Sequence, residues 1–193
     1  AGFTSVDELP DLYLQATVAV EDHRFYAHPG FDAIATMRAL VNNLRAGAIV
    51  EGGSAITQQL AKNQYFTQEQ TIERKVAEVF MALTMEQHFS KRTILELYVN
   101  SIYFGDGHTG IGPASEGYFG KRPADLTADE CTLLAGIPNA PSAYALSEHS
   151  ELARKRQEHV LEKLVAYDYL ERGDARLIVA RAAAKEPPAW QSA

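Results

Sequence analysis

A chain of 193 residues with 46% hydrophobic and 22% charged residues, 13 Gly and 8 Pro has the composition of a folded globular protein, which excludes disordered and fibrous classes. A formal net charge of −7 without a basic tail excludes a nucleic-acid binder, because phosphate affinity comes from clustered Lys and Arg that release counterions. The single Cys131 excludes an internal disulfide, and no apolar run approaches the ~20 residues of a bilayer-spanning helix.

Apolar residues recur at helical spacing over residues 11–22, 31–46, 54–65, 71–89, 91–104, 127–137, 151–171 and 174–185, and almost nothing reads as a strand. Thr71 and Ser90 stand before two of these runs as N-caps, and Thr127 with Glu130 has capping-box spacing. Gly52-Gly53, Gly105 to Gly112, Pro138, Pro141 and Gly173 are the punctuation between helices. With no internal repeat or low-complexity linker, the pattern predicts one all-α domain over residues 1–193, large enough for two lobes with a cleft between them. Residues 151–185 carry no chemical motif and read as a C-terminal helical scaffold. The charge run Arg154-Lys155-Arg156 reads as the solvated face of that scaffold, as do the pairs Lys91-Arg92 and Lys121-Arg122 elsewhere.

Five stretches concentrate polar chemistry. Glu21-Asp22-His23-Arg24-Phe25-Tyr26-Ala27-His28-Pro29-Gly30 ends an apolar helix, placing Glu21 at its terminus facing a loop. A plain polar helix end explains that spacing as well as a site does, whereas zinc is a weak reading because the two His lack helical i,i+4 spacing and a Cys partner. Gly52-Gly53-Ser54 feeds a helix start, an arrangement that suits either an ordinary N-cap or an anion at the positive dipole end. Lys62 is the only charged residue between Gly52 and Asn63. Arg74, Lys75 and Glu78 share a face at i,i+3 and i,i+4, with Val79-Phe80-Met81-Ala82-Leu83 as the expected buried side, so a surface ion-pair cluster is the plain alternative. Glu96 and Asn100, also i,i+4, read first as structural braces, and Gly112 to Lys121 reads as small-residue packing.

Taken in order, these stretches resemble the glycosyltransferase domain of peptidoglycan synthases, found in class A penicillin-binding proteins and monofunctional transglycosylases. The resemblance covers residues 18–144 and rests on E-D-x-x-F-x-x-H-x-G at Glu21 to Gly30, G-G-S-x-I-T-Q-Q-x-x-K-N at Gly52 to Asn63, R-K-x-x-E at Arg74 to Glu78 and I-L-E-x-Y-x-N at Ile94 to Asn100. It implies a lysozyme-like helical fold and a lipid II substrate carrying undecaprenyl pyrophosphate, at the extracytoplasmic face of the bacterial cytoplasmic membrane. It also implies Glu21 as general base, Glu78 as second essential acid, Lys62, Arg74 and Lys75 as pyrophosphate contacts, and Ser54, Gln59 and Asn100 as residues that shape the cleft. Ala55 stands where the family usually has Thr.

Transfer from a pyrophosphate needs a base for the attacking hydroxyl and cations for the leaving group, whereas a muramidase needs a protonated carboxyl. Two acids with a Lys/Arg cluster thus favour transfer over the alternatives, a lytic hydrolase or a non-catalytic glycan-binding module, and the resemblance implies that the transfer is a single inverting displacement. The partners implied are lipid II, the growing glycan strand, the membrane surface and phosphoglycolipid inhibitors of the moenomycin type. No cofactor is required by this chemistry, though a divalent cation such as Mg2+ is reasonable beside a pyrophosphate. Phe31, Ile34, Met37, Leu40, Val41 and Leu44 form an apolar stripe that suits either membrane contact or core packing. The S-x-x-K and K-T-G signatures of a transpeptidase are absent from the sequence.

Overall fold

The computed structural model describes residues 2–67 and 69–184. Its α-helices are α1 (Asp11–Glu21), α2 (Ala33–Ala46), α3 (Ile56–Tyr65), α4 (Ile72–His88), α5 (Lys91–Ser101), α6 (Ile111–Phe119), α7 (Ala128–Gly136), α8 (Pro141–Tyr144), α9 (Ser150–Ala166) and α10 (Arg172–Ala184). Among the described residues there is no strand, and the one β-bridge, Tyr103 to Thr109, closes a loop. The all-α expectation therefore holds. None of the described helices is long and apolar enough to cross a membrane. Lys185, the last residue of the final expected helix, and the end of the expected 1–193 domain lie outside the described residues.

Two compact units divide the fold: Arg24–Tyr98 forms one, and the chain up to His23 together with the chain from Val99 forms the other. The second of these is built on α1, α7 and α9, each of which packs against the other two. Tyr13, Ala16, Val18 and Ala19 from α1 meet Cys131, Leu133 and Leu134 from α7 and Ala153, Val160, Leu161 and Leu164 from α9, all buried. The predicted capping box starts α7: Thr127 Oγ1 accepts from the Glu130 amide at 3.3 Å, and Glu130 Oε1 accepts from the Thr127 amide at 2.9 Å. Lys121 is not merely solvated, since its Nζ lies 2.7 Å from Glu130 Oε1 and so ties the preceding loop to this cap.

In Arg24–Tyr98, α3 packs on α4 over Ile56, Leu60, Ala61, Ala82 and Met85. Thr71 caps α4 through the Arg74 amide at 3.1 Å, and Ser90 accepts from the Thr93 amide at 3.2 Å at the start of α5, both as predicted. Asp32 caps α2 with two 3.1 Å bonds from the Ile34 and Ala35 amides and accepts from Arg24 Nε at 2.9 Å. Burial opposes its ionisation, but the bond from the Ala35 amide and the Arg24 guanidinium outweigh it and hold the carboxyl below its ordinary range.

The loop after Glu21 is pinned by Lys91 rather than left beside a solvated cation. Lys91 Nζ donates to His28 O at 2.6 Å, lies 2.7 Å from Glu86 Oε1 and sits 4.4 Å from the Phe25 ring centroid. Gly30 completes the join, because at φ 106° a Cβ there would meet Ala82 O and Glu86 Cγ at 2.9 Å.

Several expected boundaries differ. The segment from Gly112 to Lys121, read as small-residue packing, also contains a helix, α6, whose Ile111, Ala114 and Tyr118 are buried. The short α8 begins at Pro141, which serves as a helix start rather than a break. The helix expected over 151–171 ends at Ala166, where Asp168 turns the chain at φ 62°, and Gly173 lies inside α10.

Candidate functional site

Within Arg24–Tyr98, α4 turns its acid inward. Its buried residues are Glu78, Ala82 and Met85, spaced i, i+4, i+7, while Ile72, Val76 and Phe80 are 81%, 49% and 67% exposed. This corrects the expectation that Val79 to Leu83 form the buried side, and it removes the plain alternative of a surface ion-pair cluster. A buried carboxylate is costly unless paired, and Lys75 provides the partner, with Nζ 3.2 Å from Glu78 Oε2 and donating to Ser54 Oγ at 2.6 Å. Lys75 is half-exposed, so its ammonium links the buried acid to the open side of the site. Arg74 does not join the pair that its i,i+4 spacing allows. Its guanidinium lies over the Phe66 ring, 4.9 Å from the centroid.

Neighbouring α3 carries Lys62 in its last turn, half-buried and without a carboxylate partner among the described residues. Gln59 is held at both ends, its Nε2 donating to Ser54 O at 3.3 Å and its Oε1 accepting from the Tyr98 hydroxyl at 2.9 Å. The start of α3 is not an open anion site. Ala55, Ile56, Thr57 and Gln58 are all buried, and the Gln58 side chain already accepts from the Ala55 amide at 2.9 Å. Gly53 is required for packing instead, since a Cβ there would stand 3.0 Å from Thr36 Cα of α2.

The other unit holds Glu21 and Asn100. Glu21 is the last residue of α1, as its spacing predicts, and its side chain is only 9% exposed. Arg156 Nη2 of α9 lies 3.9 Å from Glu21 Oε1. That arginine is not part of a solvated face: its side chain is 14% exposed, and its Nε donates to Gly136 O, at the end of α7, at 3.3 Å. Asn100 does act as a brace, on the chain's beginning. Its Nδ2 donates to Thr4 O and its Oδ1 accepts from Thr4 N, both at 2.8 Å. The two histidines of the first motif have other work: His23 stacks on Tyr167 with centroids 4.2 Å apart, and His28 Nδ1 accepts from the Gly30 amide at 3.0 Å.

The residue that sequence reasoning missed is Arg156, and helical periodicity carried its signal. It lies three residues after Ala153 and four before Val160, on the same stripe as Gln157 and Leu164, so it faces inward with the buried residues.

Comparisons with known proteins agree with the motifs. The family described as Transglycosylase matches residues 2–165. Penicillin-binding protein 1A of Aquifex aeolicus (strain VF5) is 45% identical over 168 residues, covering 87% of this chain and 23% of that protein. Penicillin-binding protein 1F of Bacillus subtilis (strain 168) is 43% identical over 171 residues, covering 89% and 24%. The chain thus spans about a quarter of the length of these curated relatives. The crystal structure of penicillin-binding protein 1A from Haemophilus influenzae matches 96% of this chain and 17% of its own, with a TM-score of 0.55 at 19% identity, which bears on the fold alone and agrees with the lysozyme-like helical class. With the family matched over most of its length and its four motifs in order, this chain belongs to the transglycosylase family.

Proposed function

We propose that this domain is a peptidoglycan glycosyltransferase that polymerises lipid II into glycan strands with release of undecaprenyl pyrophosphate. The observation that carries the reading is the cationic wall of α3 and α4: the lone half-buried Lys62, and Lys75 reaching from the buried Glu78 to Ser54. A departing pyrophosphate needs such positive charge and needs no acid, because it leaves as an anion. In the proposed step the acceptor 4-hydroxyl oxygen attacks the donor anomeric carbon and its proton passes to Glu21. The bond from that carbon to the pyrophosphate oxygen breaks with inversion, and its electron pair leaves on the phosphate. Lys62, Lys75 and Arg74 take up that charge, Glu78 holds Lys75 in place, and Ser54 and Gln59 line the same wall.

The lipid tail requires an apolar surface, and α2 offers one. Ile34, Met37, Leu40, Val41 and Leu44 are 60%, 57%, 50%, 38% and 73% exposed, so core packing does not account for the stripe. In this reading α2 docks on the extracytoplasmic face of the cytoplasmic membrane, and phosphoglycolipids of the moenomycin type compete with lipid II for the same cations. The protein's own cations serve the leaving group, so turnover continues in a metal chelator and Mg2+ acts only as a stimulant.

The test is polymerisation of purified lipid II by the chain, with and without chelator, followed by separation of the glycan products. Long strands with released lipid pyrophosphate are expected. Release of fragments from preformed polymeric glycan, with no consumption of lipid II, would instead identify a hydrolase.

A further inference from the structure

Tyr98 of α5 is fully buried in Arg24–Tyr98, and its hydroxyl lies 2.9 Å from Gln59 Oε1 on α3. The other end of the Gln59 amide, Nε2, donates to Ser54 O at 3.3 Å, and Ser54 Oγ accepts from Lys75 Nζ of α4 at 2.6 Å. A chain of bonds thus runs from the interior of this unit to an ammonium of the cationic wall. Chemistry fixes the order of donors along it. Ser54 O is a carbonyl and can only accept, so Gln59 presents its amide nitrogen there. The amide oxygen is then the end that faces α5, and the Tyr98 hydroxyl donates to it. A phenylalanine would fill the same space and leave the amide without the donor that keeps it from turning over. Ser54 lies outside the helix, before the N-cap Ala55, and Gln59 ties it back to the first turns of α3.

We infer that Tyr98 is a positioning residue for the leaving-group cation, an inference that rests on the function proposed above. Its hydroxyl fixes the Gln59 amide, the amide fixes Ser54, and Ser54 fixes where the Lys75 ammonium stands. Glu78, at 3.2 Å, holds that ammonium at one point, and Ser54 supplies a second. Two of the three ammonium donors are then committed, and the direction of the third, the one the proposed mechanism gives to the departing phosphate, is set by both. Tyr98 touches no reacting atom in this scheme and acts through Gln59 and Ser54.

The experiment measures steady-state lipid II polymerisation by the full chain for Tyr98→Phe, Tyr118→Phe, Lys75→Ala and the double variant Tyr98→Phe/Lys75→Ala, with thermal melts to establish that each is folded. Tyr118→Phe is the matched control: its buried hydroxyl, in the other unit, donates to Phe104 O at 2.7 Å, so it gives up one interior bond outside the chain described here. Expected is a ~3–10-fold fall in kcat/KM for Tyr98→Phe, the rate equivalent of one neutral hydrogen bond, and no fall for Tyr118→Phe, although both melt at lower temperature. In Lys75→Ala, Tyr98→Phe should bring no further loss, because the cation it aims is gone, whereas a general loosening of the core would lower activity with or without Lys75. Full activity of Tyr98→Phe, an equal fall in Tyr118→Phe, or losses that multiply with Lys75→Ala would each overturn the inference. Should Tyr98→Phe not fold, Gln59→Met cuts the same chain one link further on, and losses that multiply with Lys75→Ala overturn the inference there too. A fully active Lys75→Ala protein overturns it by a separate route, since it removes the cation on which the proposed function relies.

Discussion

Glu21 and Glu78 are both nearly withdrawn from water, with side chains 9% and 5% exposed, yet their cations stand differently. Glu78 is engaged by Lys75 at hydrogen-bond distance, and Arg156 Nη2 lies 3.9 Å from Glu21 Oε1. Glu21→Gln keeps shape and removes basicity, so polymerisation should fall by ~100-fold or more while affinity for a phosphoglycolipid inhibitor changes little. Near wild-type polymerisation by Glu21→Gln with a dead Glu78→Gln would reverse the two roles. Lys62→Ala and Lys75→Ala should each cost about 1.5–3 kcal/mol of transition-state stabilisation, the scale of one charge-assisted contact, in kcat/KM for lipid II. The matched control is Arg122→Ala, whose side chain is 78% exposed, rather than Lys121→Ala, which would break the Glu130 pair; equal losses at all three positions would end the pyrophosphate assignment. Burial raises the Cys131 thiol to about 12, so native protein should react with a thiol reagent far more slowly than unfolded protein at neutral pH. At this scale the motifs singled out Glu21, Lys62, Lys75 and Glu78 as candidates, because each is a residue type that the proposed chemistry demands. Spacing could not show that Arg74 would prefer the Phe66 ring, since that aromatic lies outside α4, at the end of α3.

Helices with strong periodicity and a capping residue, such as α4 and α7, were legible close to their ends. The helix α6 was not, because Gly112, Pro113 and Gly117 lower its local propensity and tertiary packing supplies what propensity lacks. Gly117, for one, leaves the room that the His108 ring fills. Which side of a helix faces inward was legible only when apolar content settled it. On α4 it misled, for Val76 and Phe80 are exposed and the core takes Glu78, Ala82 and Met85, whereas on α2 the sequence left the apolar stripe open between membrane and core, and the structure exposes it and buries Ala39. Leu44→Asp and Met37→Asp should therefore weaken sedimentation with anionic vesicles without lowering the melting temperature; unchanged vesicle binding by folded variants would place the membrane contact elsewhere. At the start of α3, Ala55 offers no side-chain cap, and Ala55→Ser should stabilise the protein by about 0.5–1 kcal/mol in urea unfolding.

The stability of the whole molecule should fall on acidification in two separate ranges. His159 has a folded pKa below its ordinary ~6.5, so the unfolded chain takes up that proton first, and the stability it contributes is present above ~6.5 and lost as pH falls below it. Asp32, also lowered, contributes stability present above the ordinary carboxylate value of ~3.9 and lost as pH drops through its folded value. Melting temperatures measured from pH 7.5 to 3 should show both declines, and His159→Asn should flatten the upper one. The division into two units has a further consequence, for the order of events during synthesis. Because Arg24–Tyr98 is an excursion from the other unit, α1 leaves the ribosome long before α7 and α9, against which Tyr13 and Ala16 are packed. Closing so long a loop is entropically slow, so the excursion has the first opportunity to fold and α1 must wait, apolar and uncovered, for the last third of the chain. A nascent chain stalled before α9 should accordingly be cut by protease within α1 while α3 and α4 are already protected.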